Sequence, residues 1–375
     1  MLKLFQIKTD YSSRVYGLDV FRAVAIIFVV MGHGGFMIGL ALPGFPYIRL
    51  IDGVELFFVL SGFLIGAILI KIFEKNGTLS LAQITHFWKR RWFRTLPNYY
   101  LVLLLNVLFV YLGIINGDLS NFNWKFFFFL QNFNSYFTDF FWESWSLTIE
   151  EWFYILTPLT MFILYKLLNG LLNAKKMMLL MIFFFIVSPL VYRIAISPES
   201  VDPFWFDVKF RKVVLTRLDA IMFGVLFAWL KFYYPVTWKK IALPFFITGV
   251  ILIYIFMHIQ SLQPTGIFSK TIYFSLTGMA AAMMLPLADS KKRFSTKFGK
   301  AITHISLISY SMYLLNLGII AEVIHKNFTP ENAVSGIITY GIFWSMVVLL
   351  STLLYKYFEK PVMDLRDKSK IKATD

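Results

Sequence analysis

The residues able to do chemistry stand where hydropathy does not favour them. Asp19, Arg22 and His33 fall within GLDVFRAVAIIFVVMGH, and Ser146, Glu150 and Glu151 within WSLTIEEWFYILTP. Inside a lipid-spanning helix an ionisable side chain costs about 2.5–3.5 kcal/mol on insertion scales, so each is a candidate for function. Arg22 and His33 are eleven residues apart. On a helix this is about three turns, which puts both on one face with about 16 Å between them. Asp19 lies one turn before Arg22 on nearly the same face. A neutral imidazole titrates near physiological pH and suits general-base work. Gly32, Gly34 and Gly35 flank His33, and without side chains they admit a close backbone or a thin ligand. The same pattern also fits a buried imidazole bonded to a carbonyl beside helix-packing glycines.

A second group is basic and aromatic. In HFWKRRWFR (86–94), Arg91 and Arg94 are one turn apart. Guanidinium forks bind phosphates bidentately, and Trp88, Trp92 and Phe93 are suited to stacking on a nucleotide base. The alternative is a topological anchor with an aromatic belt on anionic lipid. Ser146 and Glu150 share a helix face while Glu151 points elsewhere, and no GxSxG elbow accompanies them. Tyr136, Phe137, Trp142 and Trp145 suit stacking on a sugar ring or, equally, an interfacial belt. Glu55 opens an apolar run as either a binding carboxylate or a solvated interface group, and Gly62 and Gly66 further along it space as a helix-packing pair. Arg217 and Asp219 lie about 200° apart on a helix and address different neighbours. His258, His304 and His325 sit near the ends of apolar runs and read as structural. With no Cys, thiolate chemistry, disulfides and Cys-based metal sites are excluded. No GxGxxG, P-loop or HExxH occurs, and no metal centre is expected.

The elements that must position these residues are membrane helices. Of 375 residues 58% are hydrophobic and 15% charged, against about 25% charged in ordinary soluble domains. Soluble enzyme, disordered chain and nucleic-acid binder are excluded together, despite a net charge of +15. Ten apolar spans are expected, at 19–42, 51–72, 96–115, 146–166, 177–196, 213–231, 241–259, 271–288, 303–324 and 334–357, with a re-entrant or interfacial helix near 124–133. With the N-terminus inside, 26 of the 36 Lys and Arg fall in cytoplasmic segments and 8 in outer loops, Arg193 counted among the latter. The positive-inside rule then puts both termini in the cytoplasm. The expected fold is an all-α polytopic membrane protein, one domain over 1–375 with no soluble domain.

Five stretches in this order resemble the acyltransferase type 3 family of polytopic membrane acyltransferases: GLDVFRAVAIIFVVMGH (17–33), GVELFFVLSGFLIG (53–66), RRWFRTLPNYY (90–100), WSLTIEEWFYILTP (145–158) and ISYSMYLLN (308–316). TRLDAIMFG (216–224) and FEKPVMDL (358–365) match more weakly. The resemblance covers about residues 14–366, in the form without an appended soluble hydrolase domain. It implies transfer of an acyl group, acetyl or succinyl, from cytoplasmic acyl-CoA (acetyl-CoA above all) to a hydroxyl of an envelope carbohydrate or lipid-linked glycan. It also implies the plasma membrane of a bacterium. The family's Arg/Lys-x10-His signature falls on Arg22 and His33, its RxxR on Arg91 and Arg94, and its SxxxE on Ser146 and Glu150. The resemblance therefore makes His33 the catalytic base, with Arg22 and with Glu150 orienting the imidazole. The donor phosphates then fall to Arg91 and Arg94 together with Arg90, and Ser146, Glu55, Trp145, Arg217 and Asp219 are the candidates for holding the acceptor. The expected partners are acyl-CoA, the glycan and the bilayer, not nucleic acid. Glu55 stands where many relatives have Asp, Trp152 where Gln is usual, and Asn316 where His is common, an amide that cannot titrate. The competing class is a proton-coupled glycan transporter or flippase, which ten spans and buried ionisable groups also suit. Paired half-repeats with matched broken helices, its usual mark, are missing from the sequence.

Overall fold

Apolar stretches of membrane length can satisfy their backbone in lipid only within the segment, so they become helices. The computed structural model describes residues 7, 14–43, 52–77, 79–136, 140–291 and 296–371, and every regular element among them is helical. The elements that build the bundle are α1 Tyr16–Ile38, α2 Gly53–Asn76, α3 Leu81–Tyr111, α4 Ser144–Leu168, α5 Ala174–Ile196, α6 Leu218–Tyr233, α7 Ala242–Leu262, α8 Tyr273–Ala282, α9 Lys297–Asn327 and α10 Ala333–Leu365. Among the described residues eight of these are long and apolar enough to cross a membrane. The chain is all-α and polytopic.

The other two expected spans are shorter than their hydropathy windows. α6 has 16 residues, about 24 Å of helix against about 30 Å of hydrocarbon. It is buried along most of its length, so neighbouring helices and not lipid set where it ends. The window 271–288 holds α8, with 10 residues, and then a separate turn of helix, Leu285–Ser290. Pro286 has no N–H to bond the Ala282 carbonyl, which ends the continuous ladder there. A hydropathy average registers apolar residues and misses such interruptions.

The segment near 124–133 is also narrower than expected. It contains one 3-10 turn, Trp124–Phe127, followed by turns in which Phe129 takes a positive φ of 55°. Its carbonyls are satisfied from outside. Tyr99 Oη donates to Phe126 O (2.9 Å), Tyr100 Oη to Phe127 O (2.7 Å) and Trp152 Nε1 to Phe129 O (2.7 Å). Buried irregular backbone persists at membrane depth on such terms. The run 86–94, in contrast, is regular helix. It forms the first part of the 31-residue α3, which a Ser80–Gln83 capping box starts.

Packing centres on α2 against α6, the most extensive helix pair, with α1 and α9 beside them. Gly62 and Gly224 make the α2–α6 approach possible. A Cβ on Gly62 would lie 1.8 Å from the Ile221 carbonyl oxygen, and one on Gly224 would lie 2.1 Å from that of Val59. Gly66 faces Val225 and Ala228 on the same seam, so the expected glycine pair is a packing device. Gly62→Ala should therefore push the two helices apart and destabilise the protein by about 1–3 kcal/mol. A thermal melt in detergent reads this as a lowered Tm. Gly341→Ala, whose new Cβ meets nothing within 4 Å, should leave the Tm unchanged or slightly raised.

Candidate active site

Three arginines, brought together from two helices, line one cavity of about 90 Å3 between α1, α2, α3, α4 and α9. Arg22 comes from α1, while Arg91 and Arg94 stand one turn apart on α3. Among the described residues none of the three forms an ion pair. Arg91 donates to Tyr154 Oη (3.1 Å), lies 4.6 Å from the centre of that ring, and leaves its Nε without a partner. Glu150 and Ser146 line the same cavity. Ser61 donates to Glu150 Oε1 (3.2 Å) and Tyr154 to its Oε2 (2.7 Å). Ser146 Oγ meets Tyr313 Oη at 2.6 Å, and Tyr313 in turn donates to the Glu143 carbonyl (2.9 Å). Val54, Phe57 and Leu64 supply an apolar wall. The arrangement is an anion-attracting chamber with a carboxylate and several hydroxyls inside it. Glu151, next in sequence, turns to α3 and accepts from Thr95 Oγ1 (2.7 Å).

His33 is half-buried and stands outside the lining of this cavity. Its Nδ1 meets Asn316 Oδ1 at 2.5 Å. This corrects the expectation that Glu150 orients the imidazole: the partner is Asn316, and the Glu150 carboxylate is held by Ser61 and Tyr154. The glycines around His33 divide between the two readings. Gly34 packs on the Phe343 and Tyr340 rings of α10, whereas a Cβ on Gly32 would meet nothing within 4 Å. Asp52, Arg211 and Lys212 lie within electrostatic reach of the imidazole. Arg211 bridges Asp52 (2.7 Å) and Asp207 (3.0 Å), and Lys212 also pairs with Asp207 (2.6 Å). Burial works against the charge of Asp207, but Arg211 and Lys212 beside it hold its carboxyl below the usual range. Trp145 is buried, edge-on to Phe58 at 6.0 Å, and Arg211 covers it at 5.0 Å. Lys212 lies 4.3 Å from the centre of the Trp142 ring. Phe137 lies outside the described residues.

The remaining expected residues are not brought to the cavity. Arg90 is exposed. Glu55, read as a binding or interface carboxylate, is buried and ion-paired with Arg217. Asp219 is fully buried against Arg193 (2.8 Å) and also accepts from Ser275 (2.6 Å). Arg193, tallied with the outer-loop basic residues although the expected span 177–196 contains it, sits within α5 with no exposed surface. Its guanidinium also donates to the carbonyls of Thr216 and Thr271 (2.7 Å for the latter) and to Ser275 (2.6 Å). Arg217 and Asp219 do serve different neighbours, but both are spent on architecture. Sequence reasoning missed Ser61, Tyr154, Tyr313 and the bond from Asn316. Tyr154 follows Glu150 by four residues, a spacing that could have flagged it. The other three come from distant helices.

The family model described as an acyltransferase domain matches residues 15–356. The chain belongs to the acyltransferase type 3 family. It is similar to the peptidoglycan O-acetyltransferase of Listeria monocytogenes, 31% identical over 385 residues that take in 94% of this chain and 57% of that protein. A provisionally named O-acetyltransferase of Staphylococcus aureus strain COL is 26% identical over 94% of this chain and 58% of its own length. A provisionally named peptidoglycan O-acetyltransferase of Bacillus subtilis strain 168 is 36% identical over 40% of this chain and 24% of its own. The chain thus spans less than three-fifths of these curated relatives. No solved structure matches it. With eight membrane-length helices among its described residues, the chain is a multi-pass protein of the bacterial plasma membrane. Breaking its Arg193–Asp219 pair should cost about 3–5 kcal/mol, because the surviving charge stays buried and unmatched. Asp219→Asn should accordingly lower the Tm in detergent, with the folded fraction binding substrates as before. A selective loss of acceptor binding at unchanged Tm would return Asp219 to the substrate site.

Proposed function

We propose that this acyltransferase moves an acetyl group from acetyl-CoA to a hydroxyl of a cell-wall glycan, peptidoglycan being the first candidate. The observation that supports it most is the cavity on which three arginines converge against a single carboxylate among the described residues, Glu150, with which none of them forms an ion pair. Unmatched guanidiniums inside a membrane bundle are costly, and a phosphate-bearing ligand offsets that cost through charge-assisted hydrogen bonds. The names of the relatives favour peptidoglycan and acetyl. The cavity arginines belong to the end of the bundle whose connecting segments are rich in Lys and Arg, which favours donor entry from the cytoplasm.

On this reading Arg22, Arg91 and Arg94 hold the donor phosphates, and the chamber between Phe57, Glu150 and Tyr313 receives the thin pantetheine end. Ser61 and Tyr154 fix Glu150 as a wall of the chamber. His33 stands about three helical turns beyond Arg22 and works from the acceptor side. Its imidazole takes the proton of the acceptor hydroxyl as that oxygen bonds to the thioester carbon. The carbon–sulfur bond breaks, and the proton passes on to the sulfur, giving free coenzyme A and an ester. The whole chain functions as one membrane acyltransferase domain with both termini in the cytoplasm.

Purified protein in detergent, given acetyl-CoA and oligosaccharides cut from peptidoglycan, should release free coenzyme A and O-acetylated sugar. Arg94→Ala should raise KM for acetyl-CoA about tenfold or more, the worth of one charged hydrogen bond. His33→Ala should bind acetyl-CoA normally and transfer only at a small residual rate. Wild-type protein that consumes no thioester in detergent, yet moves glycan across vesicles, would favour a transporter instead.

A further inference from the structure

The hydrogen bond between His33 and Asn316 carries more information than its length. Asn316 is fully buried, and both amide hydrogens are committed. Nδ2 donates to the carbonyls of Met312 and Tyr313, at 2.8 Å each. Turning the amide over would set its oxygen against those two carbonyl oxygens, so Oδ1 must be the atom that faces His33. An amide oxygen only accepts. Nδ1 of His33 therefore carries the hydrogen, and a neutral imidazole has only one. The lone pair is left on Nε2, which makes no hydrogen bond with a described residue.

The backbone is adapted to this arrangement. At Asn316–Ala321 α9 widens into a π turn, and Gly318 N–H leaves the helix ladder to donate to Glu143 Oε1 (3.2 Å). A Cβ on Gly318 would lie 2.8 Å from that carboxylate. Single π turns of this kind recur at functional sites.

We propose that Asn316 is a positioning residue that fixes the tautomer of His33 and leaves Nε2 as the basic nitrogen. The inference rests on the reading of His33 as the base. An amide orients the ring, as the carboxylate of a Ser-His-Asp triad does, without stabilising the imidazolium. It thereby keeps the neutral, proton-accepting form populated. The charged groups facing His33 are Asp52 at the start of α2 and Arg211 and Lys212 on the outer segment, and from α9 the neutral Asn316.

The test uses the full-length protein in detergent with acetyl-CoA and peptidoglycan oligosaccharides. Asn316→Asp places an anion against the ring and stabilises imidazolium. The acid limb of kcat/KM should then move to higher pH by about one unit or more, with KM for acetyl-CoA within twofold of wild type. Should a carboxylate opposite two carbonyls prevent folding, Asn316→Ala replaces it. That variant should lose at least tenfold in kcat, and adding it to His33→Ala should cost nothing further. An Asn316→Asp profile superimposed on the wild-type one, or Ala losses that multiply with those of His33→Ala, would overturn the proposal. Wild-type rates in His33→Ala would instead remove the reading beneath it.

Discussion

A charge inside a membrane bundle must be matched or left waiting for something that matches it, and this interior is sorted by that constraint. Arg193 carries Asp219 with it, and Arg217 carries Glu55. Both pairs tie α6 and the turn before it to α5 and α2, so they hold the centre of the bundle in register. Arg22, Arg91 and Arg94 are the exception, three cations converging on one cavity that holds a single carboxylate, Glu150, and none of them forming an ion pair among the described residues. Glu150 supplies one negative charge in the same chamber, held in place by Ser61 and Tyr154 and not by an arginine, so positive charge stays in excess there. The matched arginines are architecture, and the unmatched ones define where an anion is wanted.

The chamber depends on a contact that never touches it. Gly62 and Gly224 let α2 and α6 approach to backbone distance, and this places the neighbouring Ser61 against Glu150. Adjacent residues on a helix differ by about 100° in direction, so one turn of α2 packs on one side and binds on the other. α4 uses the same geometry, sending Glu150 to α2 and Glu151 to α3. Small errors in the seam would therefore reach the cavity directly.

Hydropathy and basic-residue counting made the membrane class, the helical fold and most span positions legible, because each rests on local composition. Breaks within spans were not legible: Pro286 and the turn after Ala282 sit in an apolar window that averages to one helix. Of the candidate site, the pairs Arg22 with His33, Arg91 with Arg94 and Ser146 with Glu150 were visible as helical spacings. What those residues touch was not. Asn316 lies 283 positions from His33, and a spacing argument has no reach across helices. Arg193 misled for a related reason. The span 177–196 contained it while the charge tally gave it to a loop, and only the three-dimensional pairing with Asp219 explains how an apolar helix tolerates it.

The site has two ends on one rigid element. Arg22 and His33 belong to the uninterrupted helix α1, so the distance between them, about 16 Å, is set by backbone hydrogen bonds and cannot be closed by side-chain rotation. A ligand gripped at the arginines must itself bridge toward the imidazole. Tyr313 and Asn316, one turn apart on α9, mark the route: the first lines the cavity and the second holds His33. On the proposed reading this explains why the donor needs a long, thin arm ending in its reactive carbon. It also explains how one bundle can receive a charged nucleotide at one end and a sugar at the other without opening a continuous pore between them.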